Sequence, residues 1–289
     1  MDRVREEILS SPCFSEVKHA NKDFLAFTES KIVPIEGDLT ADGLGLTPEV
    51  KEMLIQDCHI VISCAATVNF DEHFHDALSI NYYGAKKMLE LSKQMKHLEV
   101  FNHISTCYVN ANRPHGDIKE EVYDVDEDVE ARATKLMGMS RQYIIDNTDR
   151  LLAEKGYPNT YTFTKSMSEK ILAQLRGDVN LVICRPAVVF PSLVEPTPGW
   201  MDNFGGAVAV TWLAVNGATN NLNIPSDNIG DLVPVDLVSN GIIISTAYGA
   251  REKGCLQVYN QGSGGANEMR MGYYWDQVAK VCRYMKLNQ

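Results

Sequence analysis

Apolar residues in this chain fall into two kinds of run: short unbroken stretches, and longer ones in which they recur every three or four positions. The unbroken runs are Ile32–Glu36, His59–Cys64, Glu99–Ser105, Val179–Phe190 and Cys255–Asn260. Strands without polar alternation belong to sheets covered on both faces, as parallel sheets are. The helical rhythm places Val4, Ile8 and Leu9 on one side of residues 1–9. It recurs in Asp76–Met95 through Leu78, Met88, Leu89 and Leu91, and after Asn159 through Met167, Ile171, Leu172 and Leu175. Asp236–Tyr248 and Tyr273–Met285 read as helices too. Thr47 before Pro48 is a cap and a first-turn proline, predicting a helix to about Ile55. Residues 10–30 read as loop. The acidic stretch from Asp117 to Glu130 reads as a solvated face. Beyond Pro191, Pro196, Pro198, Gly199, Gly205 and Gly206 break regular structure. Ile224–Val235 reads as loop with a short strand, and residues 261–265 as a flexible loop. Strands alternating with helices predict an α/β fold, a doubly wound parallel sheet with right-handed crossovers.

Composition narrows the function classes. The 289 residues suit one large domain or two small ones, and 45% hydrophobic content supplies a core. No apolar run approaches the ~20 residues that span a bilayer. Gly205–Val215 is the most apolar stretch and is too short. The charged opening, Met1-Asp2-Arg3-Val4-Arg5-Glu6-Glu7, is unlike a secretory leader. Seven scattered cysteines point to reduced thiols in an intracellular, reducing compartment, with neither a disulfide scaffold nor a zinc ribbon. A net charge of −11 with no basic stripe excludes nucleic acid as a partner. It leaves room for an anionic ligand held by local lysines or helix ends.

The candidate chemistry starts from Tyr161 and Lys165. Four residues apart on a helix, they share a face. An ammonium beside a phenol favours the phenolate, so the tyrosine pKa is expected to fall and its hydroxyl to serve as a proton donor. In open α/β sheets ligands bind outside the carboxyl ends of the strands. Gly37-Asp38-Leu39, Cys64-Ala65-Ala66-Thr67, Ser105-Thr106 and Arg185-Pro186-Ala187-Val188 all end strands and should gather on one rim. A hydroxyl from Thr106 or Ser105, a phenol and an ammonium suit carbonyl reduction, the hydroxyls holding the oxyanion. Plainer roles stand beside these. Tyr161 can stack on a lysine stem, Asp38 can cap a turn, and Ser105 and Thr106 can merely end a strand. Arg185 reads as a structural charge and Cys107 as a small buried thiol. His73 and His75, two apart, lie on different sides of a helix and suit no metal. Trp200 can pack a loop. Val208, Val210, Trp212, Leu213 and Val215 can line an acyl tunnel, meet a membrane surface or fill a core.

Several segments together resemble the fatty acyl-CoA reductases of the extended short-chain dehydrogenase/reductase superfamily. They are Cys64–Glu72, His103–Val109, Pro158–Lys165, Arg185–Val189, Glu195–Asn203, Asp231–Asp236 and Val258–Asn260. The Pro198-Gly199-Trp200 segment is far more specific than Tyr-x-x-x-Lys and speaks against a nucleotide-sugar epimerase or dehydratase, which shares fold and motif. The resemblance implies a Rossmann-like sheet with a small substrate subdomain. The core would be about 1–190 and 231–250, and the subdomain about 191–230 and 251–289. The family opens with a strand, a Gly-rich turn and a helix that cradle the cofactor pyrophosphate. This sequence has no such stretch, so the first strand–helix–strand unit is expected to be missing. A non-catalytic relic that binds lipid or a partner therefore stays open as an alternative.

By the same resemblance, Tyr161 is the proton donor, Lys165 lowers its pKa and holds the nicotinamide ribose, and Thr106 or Ser105 supplies the second hydroxyl. Asp38 and Leu39 would line the adenine, and Ala65, Ala66 and Thr67 the adenosine ribose. Pro186, Ala187, Val188 and Val189 would flank the nicotinamide. Pro198, Gly199 and Trp200 would border the acyl or pantetheine entrance. The implied cofactor is NADPH and the implied substrate a long-chain fatty acyl-CoA, reduced to aldehyde and then to alcohol with release of CoA. Peripheral contact with a peroxisomal or endoplasmic-reticulum membrane is part of the same implication.

Overall fold

The computed structural model describes residues 2–219, 222–265 and 267–285. In chain order the helices are α1 (Ser15–Ala20), α2 (Phe24–Glu29), α3 (Pro48–Asp57), α4 (Phe74–Ala77), α5 (Ala85–Ser92), α6 (Val129–Met137), α7 (Arg141–Ala153), α8 (Thr160–Leu175), α9 (Gly206–Val215), α10 (Val235–Gly249) and α11 (Met271–Tyr284). The strands are β1 (Ile60–Ser63), β2 (Val100–Ile104), β3 (Leu181–Pro186), β4 (Val188–Phe190), β5 (Leu232–Pro234) and β6 (Leu256–Gln261). Two compact units emerge. One comprises residues 35–186 and 241–260, the other residues 1–34, 187–240 and 261–289.

The first unit is built on a sheet ordered β1-β2-β3-β6. β1, β2 and β3 are parallel, with Val61 opposite Phe101 and Asn102 opposite Val182. The predicted Thr47 cap starts α3, and an unpredicted one, Asn159, starts α8. Thr47 Oγ1 accepts from Val50 N at 3.4 Å, and Asn159 Oδ1 accepts from Thr162 N at 2.9 Å. α4 and α5 join through residues 78–84 into one continuous helix. That helix and α8 bury Phe74, Leu78, Leu89, Phe163, Ile171 and Leu172 in one core with Phe101, Leu181 and Ile183. On the opposite face Val100, Val182 and Cys184 meet Ile242 of α10. There the Asn102 amide donates to Thr246 Oγ1 at 2.7 Å. Gly249 permits this approach, because a Cβ there would lie 2.3 Å from Val182 Cγ2.

Arg185 and Glu169 tie β3 to α8. Nε donates to Oε1 at 3.0 Å and Nη2 to Oε2 at 2.6 Å, with both side chains almost wholly buried. Nη2 also donates to the Glu121 carbonyl at 2.9 Å. The structural charge expected at Arg185 is thus one half of a bidentate pair.

The second unit holds the parallel pair β4 and β5, with Val189 opposite Val233. α9 and α11 meet where the Thr211 and Tyr274 hydroxyls lie 2.7 Å apart, and Phe190 and Tyr274 stack edge to face at 5.8 Å.

The structure differs from the sequence reading at several points. Ile32–Glu36 joins neither sheet, and no described strand lies beside it to take its backbone hydrogen bonds. β1 is covered on one face only: Val61 is buried, but Ile60 and Ile62 are 45% and 47% exposed. The continuous run of residues 179–190 divides at Ala187 between two sheets. β6 completes the larger sheet from within the stretch the sequence assigns to the substrate subdomain. Residues 10–30, read as loop, carry α1 and α2, and α9 begins at Gly206, one of the glycines expected to break regular structure. α7 falls where no element was expected.

The acidic stretch is not simply solvated. Glu127 is salt-bridged to Arg132 at 2.5 Å, Lys155 at 3.0 Å and Lys170 at 2.5 Å. Burial pushes its pKa up, but the bonds from Lys170 and Lys155 and the charges of Lys170 and Arg132 outweigh it and bring it to about 2.

Removing one partner of a buried ion pair strands the other. Glu169→Ala should therefore destabilise the fold by about 3–5 kcal/mol in urea unfolding. A loss under ~1 kcal/mol, the range of exposed pairs, would mean the pair does not anchor α8.

Candidate active site

α8 lies so deep that nearly every residue from Thr160 to Leu172 is buried. This depth, more than the four-residue spacing, organises the site. Lys165 is 2% exposed, and its ammonium donates to the Ile104 carbonyl at 2.6 Å, with His103 Nε2 at 3.4 Å. It thereby reaches the carboxyl end of β2. Tyr161, one turn earlier, points to the same strand end, where its phenol lies close enough to the Thr106 hydroxyl to feel it electrostatically. Thr106 Oγ1 also accepts from Tyr108 N at 3.3 Å and reaches the Pro186 carbonyl at 3.5 Å. Phe70 covers the phenol ring, centroids 5.6 Å apart. Within this unit the expected trio of Tyr161, Lys165 and Thr106 comes together. Ser105 Oγ is buried with no partner among the described residues.

The electrostatics differ from the simple expectation for a tyrosine beside a lysine. The Tyr161 pKa is raised: burial pushes it up, and the Thr106 hydroxyl only partly opposes this. Lys165 is itself driven down to about 8, chiefly by burial. Its ammonium serves the Ile104 carbonyl, so in this state it does not act as the phenol's acidifying neighbour. His103 is held well below its ordinary value by burial and by Lys165, and is neutral.

Other expected residues take definite places. Asp38 Oδ1 accepts from Thr40 N at 2.8 Å and from Thr40 Oγ1 at 2.7 Å, the turn-capping role. Leu39 packs on Gly84, whose missing Cβ would lie 3.1 Å from the Leu39 Cβ. Cys64 and Ala65 are exposed at the end of β1, and Ala66 and Thr67 are half-buried. Pro186 ends β3, and in the other unit Val188 N donates to the Asp231 carbonyl at 3.1 Å. There Ala187 is buried, Val189 is 40% exposed, and Pro198, Gly199 and Trp200 lie in a closed loop. Cys107 donates its thiol proton to the Arg185 carbonyl at 2.9 Å. His73 Nδ1 caps α4, and His75 Nε2 meets the Leu136 carbonyl at 3.0 Å.

Three positioning residues escaped the sequence reading. Buried Asn81 accepts from Thr67 N at 2.9 Å and donates to Thr164 Oγ1 at 3.1 Å, fixing the Ala65–Thr67 loop on α8. Lys87 gathers the carbonyls of Leu39, Thr40 and Ala41 within 2.9–3.2 Å. His103 lies under Lys165. Each acts on backbone or on another side chain, so only the fold reveals it.

A family model for an NAD-binding domain, described as male sterility protein, matches residues 1–242. The chain belongs to the male sterility protein family. Among curated members, "Fatty acyl-CoA reductase 1" of Rattus norvegicus is 35% identical over 285 residues, covering 98% of this chain and 54% of that protein. "Alcohol-forming fatty acyl-CoA reductase" of Simmondsia chinensis is 29% identical, covering 93% of this chain and 59% of its own length. This chain thus spans about half the length of the curated relatives it matches. A solved structure, the terminal R domain from the myxalamid PKS-NRPS pathway, shares the fold at a TM-score of 0.63 and 20% identity. It covers 93% of this chain and 61% of its own. The fold is accordingly α/β and Rossmann-like, built on a parallel sheet.

The buried lysine makes a pH prediction. Its pKa is about 8 in the fold and about 10.5 ordinarily. Between these values the unfolded chain keeps a proton that the folded chain has released, so stability rises with pH across that window. Lys165→Met should abolish a gain of about 3 kcal/mol between pH 8 and pH 10.5. Unfolding curves at several pH values, with parallel slopes for both proteins, would contradict it.

Proposed function

We propose that this chain is the reducing portion of an NADPH-dependent fatty acyl-CoA reductase that forms fatty alcohol. The observation that carries this is the convergence of Tyr161 and Thr106 at a parallel strand end, one helical turn from a buried lysine whose ammonium reaches the Ile104 carbonyl there. The residues fit the nicotinamide-ribose end of a dinucleotide. Lys165 Nζ, the Tyr161 hydroxyl and the orphaned polar atoms Ser105 Oγ and His103 Nδ1 belong to the same strand end and helix. Lys165 would hold the ribose, and Pro186 to Val189 would flank the nicotinamide. Asp38 and Leu39 would meet the adenine, and Ala65, Ala66 and Thr67 the adenosine ribose. NADPH, when bound, supplies hydride.

The chain's own groups do the rest. Thr106 and Tyr161 donate to the thioester oxygen as negative charge grows on it, and a buried setting strengthens both bonds. The resulting hemithioacetal collapses, releasing CoA and leaving an aldehyde. In the second reduction the same two hydroxyls hold the carbonyl oxygen, and Tyr161 gives it a proton. Lys165 is then expected to turn from Ile104 toward the phenol and ribose. Pro198, Gly199 and Trp200 would border the entering acyl-pantetheine arm. By the family resemblance the reaction belongs at a peroxisomal or endoplasmic-reticulum membrane surface. No helix among the described residues is long and apolar enough to cross a membrane.

Tyr161→Phe should lower turnover of palmitoyl-CoA with NADPH by roughly 100- to 10,000-fold, with the melting temperature nearly unchanged. Undiminished turnover would remove Tyr161 from the chemistry.

A further inference from the structure

The segment Ser192–Trp200 closes on itself. Ser192 N donates to the Trp200 carbonyl at 3.0 Å, Trp200 N donates back to Ser192 Oγ at 3.0 Å, and Gly199 N donates to the Ser192 carbonyl at 2.8 Å. Ser192 Oγ donates to the Thr197 carbonyl at 2.5 Å. Among the described residues, one side chain from outside holds this loop by hydrogen bonds. Asp236, 8% exposed in the first turn of α10, accepts from Leu193 N at 2.9 Å through Oδ1. Through Oδ2 it accepts from Val194 N at 2.9 Å and Glu195 N at 3.1 Å. Those three bonds outweigh the upward push of burial and bring its pKa to about 2, so it stays ionised. Only a carboxylate offers acceptors on both oxygens, since an amide must point two N–H bonds at one of the donors.

Backbone capture leaves the side chains facing outward. Leu193 and Val194 are 58% and 60% exposed. The sequence between Arg185 and Arg251 contains no lysine, arginine or histidine. Such a surface suits the uncharged part of an acyl thioester, not its phosphates. We infer that Asp236 is a positioning residue whose carboxylate fixes Leu193, Val194 and Trp200 as an apolar surface that takes the acyl-pantetheine arm. This rests on the fatty acyl-CoA reductase reading above and adds to it the residue that shapes this binding surface.

The test reads the loop and the ligand separately from turnover. With Trp212→Phe and Trp275→Phe in place, Trp200 is the sole indole. Acrylamide quenching of its fluorescence reports loop closure, and its response to palmitoyl-CoA without cofactor reports binding. Asp236→Asn should raise quenching at least twofold and weaken palmitoyl-CoA binding tenfold or more. Ser192→Ala should move both in the same direction by a smaller factor, which keeps the test decisive if Asp236→Asn folds poorly. Unchanged quenching in both variants would overturn the inference, because the loop would not depend on these bonds. Looser loops with undiminished binding, or no response of Trp200 to palmitoyl-CoA in the parent protein, would also overturn it. A parent that binds palmitoyl-CoA through Trp200 yet never reduces it would sink the proposed function alone.

Discussion

Two buried cations hold α8 against the sheet. Arg185, on β3, is matched by Glu169 in a bidentate pair, and Lys165 is matched by the Ile104 carbonyl. Neither can fall back on water, so their partners must stay within hydrogen-bond reach. Glu169 and Lys165 lie four residues apart on one helix, so the two contacts fix both its rotation and its height above the strands. Tyr161, a further turn toward the amino end, follows as a consequence. Its meeting with Thr106 is thus set by anchors beyond the reacting groups.

This arrangement also sets the electrostatic state. The same burial that makes the helix rigid raises the Tyr161 pKa and lowers that of Lys165. Proximity of phenol and amine along the helix does not by itself make an acid of moderate strength. On the proposed reading, bringing a ribose and an oxyanion into the site supplies the missing charge complement. A phenol that keeps its proton until an oxyanion forms is suited to donating it then. The second unit carries its own version of this economy: a single carboxylate, Asp236, orders three backbone amides and leaves the side chains of Leu193, Val194 and Glu195 facing outward.

Much of this was legible in the sequence because it depends on local periodicity. The helix bearing Tyr161 announced itself through Met167, Ile171, Leu172 and Leu175, although its Asn159 cap did not. The runs that became β1, β2, β3 and β6 were visible as unbroken apolar stretches. What escaped depends on pairing across the chain. Ile32–Glu36 has the composition of a strand, yet a strand exists only beside another. Glu127 sits in a run of carboxylates that looks solvated until Arg132, Lys155 and Lys170 converge on it. Asn81 carried no local signal at all, since both of its partners, Thr67 and Thr164, are distant in sequence. The sign of the Tyr161 shift was misjudged because burial is a property of the fold, not of the spacing.

The central claim is that Tyr161 and Thr106 act on one oxygen as a unit. A double-mutant cycle with Tyr161→Phe and Thr106→Val, read as kcat/KM for palmitoyl-CoA, tests it most directly. The account predicts strong non-additivity, with the double variant little slower than the worse single variant and a coupling of about 1–3 kcal/mol. Losses that simply multiply would mean the two hydroxyls serve separate purposes and would contradict the account.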